Sequence, residues 1–265
     1  MADWKIIGNS ATNVLFVGSL AVWVMILWRK FRGLPTLNFR AQEPVAWPAL
    51  PVFATFVVAM VLPQVIIGLA GSTERLSLAA VQWRALAVAV QGVVVAGLLM
   101  FAGPVRRQDF GCDLTGWRGD VLAGAAGFLA SLIPVYVVND LITRLGWRAD
   151  GVKHLFFEIL EADSRGAVLA WIAVSAVILA PLAEELTYRV LLQGWCQSQL
   201  SPVTAILFSA TIFSIVHRVP DCFPLFPLAV ILGFVYHRRR SYVAVVVLHA
   251  LFNATNLGLA VLSNS

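Results

Sequence analysis

GAVLAWIAVSAVILAPLAEELTYRVLLQGWCQS, residues 166–198, runs as one hydrophobic segment with no charge before Glu184. About 20 apolar residues suffice to cross the hydrocarbon core as a helix, so a segment of this length predicts a membrane helix. The run Ala180-Pro181-Leu182-Ala183-Glu184-Glu185-Leu186-Thr187-Tyr188-Arg189 then sets three ionisable groups inside it. At about 2.5 to 3.5 kcal/mol per charge at midplane, such a trio is costly unless it is paired or wetted. The plainer reading ends the span near Leu182 and leaves an interfacial charge cluster.

The surrounding chain has the same character. Of its 265 residues 60% are hydrophobic and 12% charged, with a mean hydropathy of +0.84, against about 25% charged in a soluble domain. Apolar runs fall near residues 8–28, 47–70, 83–103 and 119–139, then 166–198, 201–217, 223–236 and 242–262. These make about eight candidate spans, and without alternating ten-residue strands they are helices and not a barrel. The expected fold is an all-α polytopic transmembrane bundle forming one membrane domain. Residues 1–165 supply helices 1–4 and a loop helix, and 166–265 a helical core.

The excess of 19 Lys and Arg over 14 Asp and Glu gives a net charge of +5, which reads as loop anchoring and not as nucleic-acid binding. Arg29, Lys30, Arg32 and Arg40 of the first loop, Arg106, Arg107 and Arg118 of the third, and Arg238, Arg239 and Arg240 of the seventh fall on one side if the helices alternate. That side is expected to be cytoplasmic, with both termini outside. The first helix lacks a basic start and a small-residue cleavage site, so it reads as retained. In the fourth loop Val152, Leu155, Phe156 and Ile159 recur at helical spacing, the pattern of an interfacial amphipathic helix, with His154 an interfacial side chain. Trp28, Trp47, Trp83, Trp117, Trp147 and Trp195 near span ends are expected to form an aromatic belt. Cys112, Cys196 and Cys222 have no CxxC spacing and read as buried filling. The run Ala123-Gly124-Ala125-Ala126-Gly127 predicts close helix packing.

At 100° per residue Arg189 lies about 40° around the helix from Glu185 but about 140° from Glu184. Arg189 and Glu185 are the expected pair, leaving Glu184 to face something else. An unpaired carboxylate in a low-dielectric site is how a general base is made. If helices leave the turn near Gln199 antiparallel, Glu184 and His217 lie roughly 23 and 24 Å along them, at matching depth. In the last helix His249 and Asn253 are spaced i, i+4, with Asn256 on the same face. That face alone could also be an interhelical hydrogen-bond patch.

Together the set offers a base in Glu184, a partner for a water or leaving group in His217, and neutral donors in His249 and Asn253 that could face a developing oxyanion, the parts of peptide hydrolysis. No covalent nucleophile is evident; Ser214 precedes His217 by three residues on the same helix. There is no HExxH, although Glu184, His217 and His249 could in principle bind a metal. No cofactor is expected. Two readings from other classes stand beside the enzyme: a non-catalytic scaffold or immunity factor of the same fold, and a proton-coupled transporter, in which intramembrane Glu and His form relays.

Glu184-Glu185-Leu186-Thr187-Tyr188-Arg189, Phe213 to His217, and His249 to Asn253 resemble, in order, the EExxxR, FxxxH and HxxxN signatures of the CAAX protease and bacteriocin-processing (CPBP) family of intramembrane endopeptidases. The resemblance covers about residues 166–262. It implies a type II CAAX prenyl endopeptidase-like glutamic protease in which Glu184 and His217 activate water, His249 and Asn253 support the oxyanion, and Glu185 and Arg189 are supporting residues. Val190 stands where family members often have Gly. The implied partners are membrane lipid and a hydrophobic or lipid-modified peptide or protein, and the implied location is the cytoplasmic membrane of a bacterium or archaeon.

Overall fold

A computed structural model describes residues 4–40, 43–71, 77–102, 106–113, 115–147 and 166–264. Its elements are α1 (Trp4–Phe31), α2 (Ala49–Leu69), α3 (Leu78–Phe101), α4 (Trp117–Arg144), α5 (Gly166–Gln199), α6 (Pro202–Ile215), α7 (Cys222–Arg239) and α8 (Tyr242–Asn264), with a short 3₁₀ turn at Arg107–Phe110. No strand occurs among the described residues, and the all-α expectation holds. Among the described residues six helices, α1 to α5 and α8, are long and apolar enough to cross a membrane. The expected spans at 201–217 and 223–236 are the 14-residue α6 and the 18-residue α7, which are not among the six. The amphipathic loop helix and His154 lie outside the described residues.

Helix α5 is not regular. Two π-helical stretches, Val174–Leu179 and Leu186–Gln193, flank the α-helical turn Ala180–Glu185 that carries both glutamates. Pro181 inside this helix has no N–H to offer, which disturbs the backbone ladder where the register changes.

Helix α4 packs against α1, α7 and α8. Its small-residue run makes the approach to α8 possible: a Cβ on Gly124 would sit 2.4 Å from the Ala244 carbonyl oxygen and 3.0 Å from Val247 Cβ. Asp120, buried in the first turn of α4, accepts two bonds from Arg239 at 2.9 and 2.7 Å and faces Arg40 at 3.5 Å. The Arg40 amide donates to the Arg238 carbonyl at 2.9 Å, and the Tyr242 amide to the Gly111 carbonyl at 3.0 Å. Gly111 has φ +67°, and a Cβ there would lie 2.8 Å from the Tyr242 nitrogen, so this loop contact requires glycine. The first, third and seventh loops, expected on one side from their charges, therefore meet at one end of the bundle.

Two expectations from residue type are corrected. Trp47 is buried in the core, edge-on to Phe110 at 6.3 Å, instead of standing in an aromatic belt; Trp28, Trp117 and Trp147 are exposed. Of the three free cysteines only Cys196 is buried; Cys112 is exposed and Cys222 half-buried. Cys112 follows the turn at Gly111, outside any helix, and so does not fill the core.

Gly124→Ala is expected to lower stability in detergent by at least about 1–3 kcal/mol, because the clash is with backbone and cannot be relieved by a rotamer change. Leu122→Ala, at an exposed position of the same helix, is expected to stay within about 0.5 kcal/mol. Thermal unfolding of the purified variants checks both.

Candidate active site

The division of the charged trio expected from helical angles is present. Arg189 Nε donates to Glu185 Oε2 at 3.0 Å, and both side chains are fully buried. Arg189 Nη1 donates to Ser209 Oγ at 3.1 Å, and that hydroxyl donates to the Tyr188 carbonyl at 2.7 Å. The guanidinium also lies 5.1 Å from the centroid of the Phe213 ring. A buried cation is tolerated here because a carboxylate, a hydroxyl and an aromatic face replace its water. Val190, the departure from the family pattern, is fully buried in the main core.

Glu185 does more than pair with Arg189. Its other oxygen, Oε1, lies 2.7 Å from His249 Nδ1. An ionised carboxylate only accepts, so Nδ1 carries the proton, and the imidazole is held by a carboxylate that is itself fixed by Arg189. The far edge of the ring, Nε2, faces Glu184 Oε2 at 3.9 Å, beyond hydrogen-bond length. Glu184 is 26% exposed where Glu185 is 0%. Adjacent glutamates thus occupy opposite environments, one saturated and sealed, the other open on one side.

The expected pairing of Glu184 with His217 takes a different form. Among the described residues no hydrogen bond or ion pair joins them, and the imidazole facing Glu184 is that of His249. Helix α6 ends at Ile215, and His217 sits in the turn beyond it, half-buried. Its Nδ1 lies 2.7 Å from the Phe213 carbonyl. A carbonyl only accepts, so Nδ1 is the donor, and in the neutral ring Nε2 is the acceptor. The Phe213 ring joins the parts, with centroids 4.9 Å from His217, 5.9 Å from His249 and 5.1 Å from Tyr188. Ser214 Oγ donates to the Ala210 carbonyl at 2.8 Å on its own helix.

Helix α8 is tied to α5 at three places. Tyr242 Oη donates to the Leu182 carbonyl at 2.6 Å, His249 to Glu185, and Asn253 Nδ2 to the Ala176 carbonyl at 2.8 Å. Asn256, expected on the same polar face, donates to the Phe252 carbonyl of its own helix at 2.9 Å. His249 stands two turns, about 10 Å, into α8 from the end where the basic loops meet. Neither Ser209 nor Tyr242 was singled out from the sequence. Ser209 stands four residues before Phe213 and so shares its helix face, whereas nothing local marks Tyr242.

Among the described residues no three His, Cys, Asp or Glu side chains are arranged to hold a metal ion. Beside the polar cluster, an apolar cavity of about 1020 Å³ lies between α3 and α5, lined by residues that include Gly92 and Ala96, Leu182, Ala183 and Leu186, and by Tyr242. Leu182, Ala183 and Leu186 flank the glutamates on the same turns of α5.

Glu185→Gln leaves Arg189 as a buried charge without its counter-ion and is expected to cost about 3–5 kcal/mol of stability. Replacing the pair together with apolar residues, Glu185→Leu with Arg189→Met, is expected to cost less than that single change. Denaturant unfolding in detergent compares them.

Residues 166–255 match the family described as type II CAAX prenyl endopeptidase Rce1-like. No curated protein and no solved structure matches the chain. The matched segment starts with α5 and contains Glu184, Glu185, Arg189, His217, His249 and Asn253. The chain is a multi-pass integral membrane protein, and its residues 166–255, about a third of its length, are similar to the Rce1-like family of CAAX endopeptidases, a family of membrane proteases.

Proposed function

We propose that the protein is a glutamic intramembrane endopeptidase that hydrolyses a peptide bond of a hydrophobic or lipid-modified substrate, as in CAAX processing. The observation that carries this reading is the Glu184 carboxylate, partly exposed and without a hydrogen bond among the described residues, 3.9 Å from an imidazole nitrogen that buried Glu185 holds in place.

In this reading Glu184 accepts a proton from a water, and the hydroxide oxygen bonds to the scissile carbonyl carbon. The negative charge moves to the carbonyl oxygen. His249 donates to that oxygen through Nε2 when the ring carries both protons, Nδ1–H being committed to Glu185. Collapse of the tetrahedral species breaks the C–N bond, and the proton held by Glu184 passes to the leaving amine. Nε2 of a neutral His217 accepts from the attacking water and orients it. The apolar cavity beside α5 suits the acyl, isoprenoid or apolar portion of the substrate and opens the site to membrane lipid. With the basic loops on the cytoplasmic side of a bacterial or archaeal membrane, the groups stand nearer to that side.

Glu184→Gln keeps the shape and removes the base. It is expected to lower kcat by about 10²–10⁴-fold on a lipidated peptide in proteoliposomes while leaving the unfolding midpoint unchanged. A well-folded variant that cleaves at the wild-type rate sinks the proposal. Activity is expected to survive exhaustive chelation; loss to a chelator with recovery on zinc addition would instead assign metal-ligand roles to these side chains.

A further inference from the structure

The cavity and the two histidines belong to the site already described, but one contact at its edge has a separate cause in the backbone. In the first π-helical stretch of α5 the amide of residue i+5 serves the carbonyl of residue i, and the Ala180 amide donates to the Ser175 carbonyl. The next carbonyl in that register, Ala176, faces position 181. That residue is proline and has no N–H. A carbonyl left without a donor in an apolar bundle is strongly unfavourable. The Ala176 carbonyl is the one that accepts from Asn253 Nδ2 at 2.8 Å.

We infer that Asn253 is a positioning residue whose amide replaces the missing N–H of Pro181, and that this bond sets the seating of α8 on α5 that aims His249. The three features form one unit. Pro181 empties the place, the π-helical register moves the orphaned carbonyl to Ala176, and Asn253, one helical turn beyond His249, fills it. His249 must reach Glu185 with Nδ1 and face Glu184 with Nε2, and a bond one turn further along α8 holds the helix against the sliding or rotation that would undo both. In this role the amide nitrogen works on the enzyme's own backbone and not on the substrate.

The inference rests on the proposed activity for its kinetic arm alone. Four proteins are compared, wild type, Pro181→Ala, Asn253→Ala and the double variant, by cleavage of a lipidated peptide and by the ring-proton resonance of His249 Nδ1–H in ¹⁵N-histidine-labelled protein in detergent. Alanine at 181 returns a backbone donor to the Ala176 carbonyl. Asn253→Ala is expected to lower kcat by about 100-fold when proline is present and by less than about 5-fold when alanine is. An equal loss in both backgrounds overturns the inference, since an amide acting on the oxyanion is indifferent to residue 181. The resonance is expected to shift or vanish in Asn253→Ala and to return in the double variant. Should Pro181→Ala not fold, the single variant decides: a displaced resonance upholds the tether and an unmoved one refutes it. Absence of cleavage by the wild type would count against the peptidase reading and leave the resonance as the test of the tether.

Discussion

The carboxylate of Glu185 accepts from Arg189 on one oxygen and from His249 on the other, with all three side chains shut away from solvent. A charge in such a place persists only when its neighbours replace water, and here they do so from three helices. Arg189 is on the same helix, His249 comes from α8, and Ser209 of α6 accepts from Arg189 in turn. The arrangement joins the helices that carry the polar groups and makes their relative positions a condition of stability. It also leaves Glu184 as the carboxylate whose demands are not met among the described residues. The two glutamates are chemically identical and adjacent in sequence; what distinguishes them is which side of α5 each occupies.

The rest of the bundle fixes where this unit sits. Gly124 lets α4 approach α8 closely, Asp120 gathers Arg239 and Arg40, and Gly111 joins the third loop to the start of α8. Since His249 is two turns from that start, anchoring Tyr242 by its amide to Gly111 and by its hydroxyl to Leu182 also limits how far the imidazole can move. Phe213 supplies a rigid apolar plate between the two histidines and beneath the guanidinium. Each contact acts on the placement of one of the polar groups.

Much of this was legible in the sequence for physical reasons. Apolar runs of membrane-spanning length, the Ala123–Gly127 stripe and the i, i+4 relation of Glu185 to Arg189 follow from helix geometry and the cost of burying charge. The charges of three loops correctly placed them at one end. What could not be read was tertiary in origin. Counting residues from the Gln199 turn assumed regular antiparallel helices, whereas α5 changes register twice and α6 stops before His217. The bond from Glu185 to His249 spans 64 residues and leaves no local trace. Asn253 was noticed as a polar residue on an apolar helix, but its partner is a backbone carbonyl that became needy only through Pro181 and the π-helical register, neither of which polarity patterns reveal.

In the proposed reading Glu184, left open by the Glu185 pairings, is the group that makes this membrane bundle a peptidase. The most direct measurement compares the termini of membrane-associated peptides and proteins in cells that express the wild-type chain and the Glu184→Ala variant at equal levels. The account predicts a set of new termini at hydrophobic or lipid-linked segments that is present with the wild type and absent with the variant. Identical sets of termini from the two strains would contradict it.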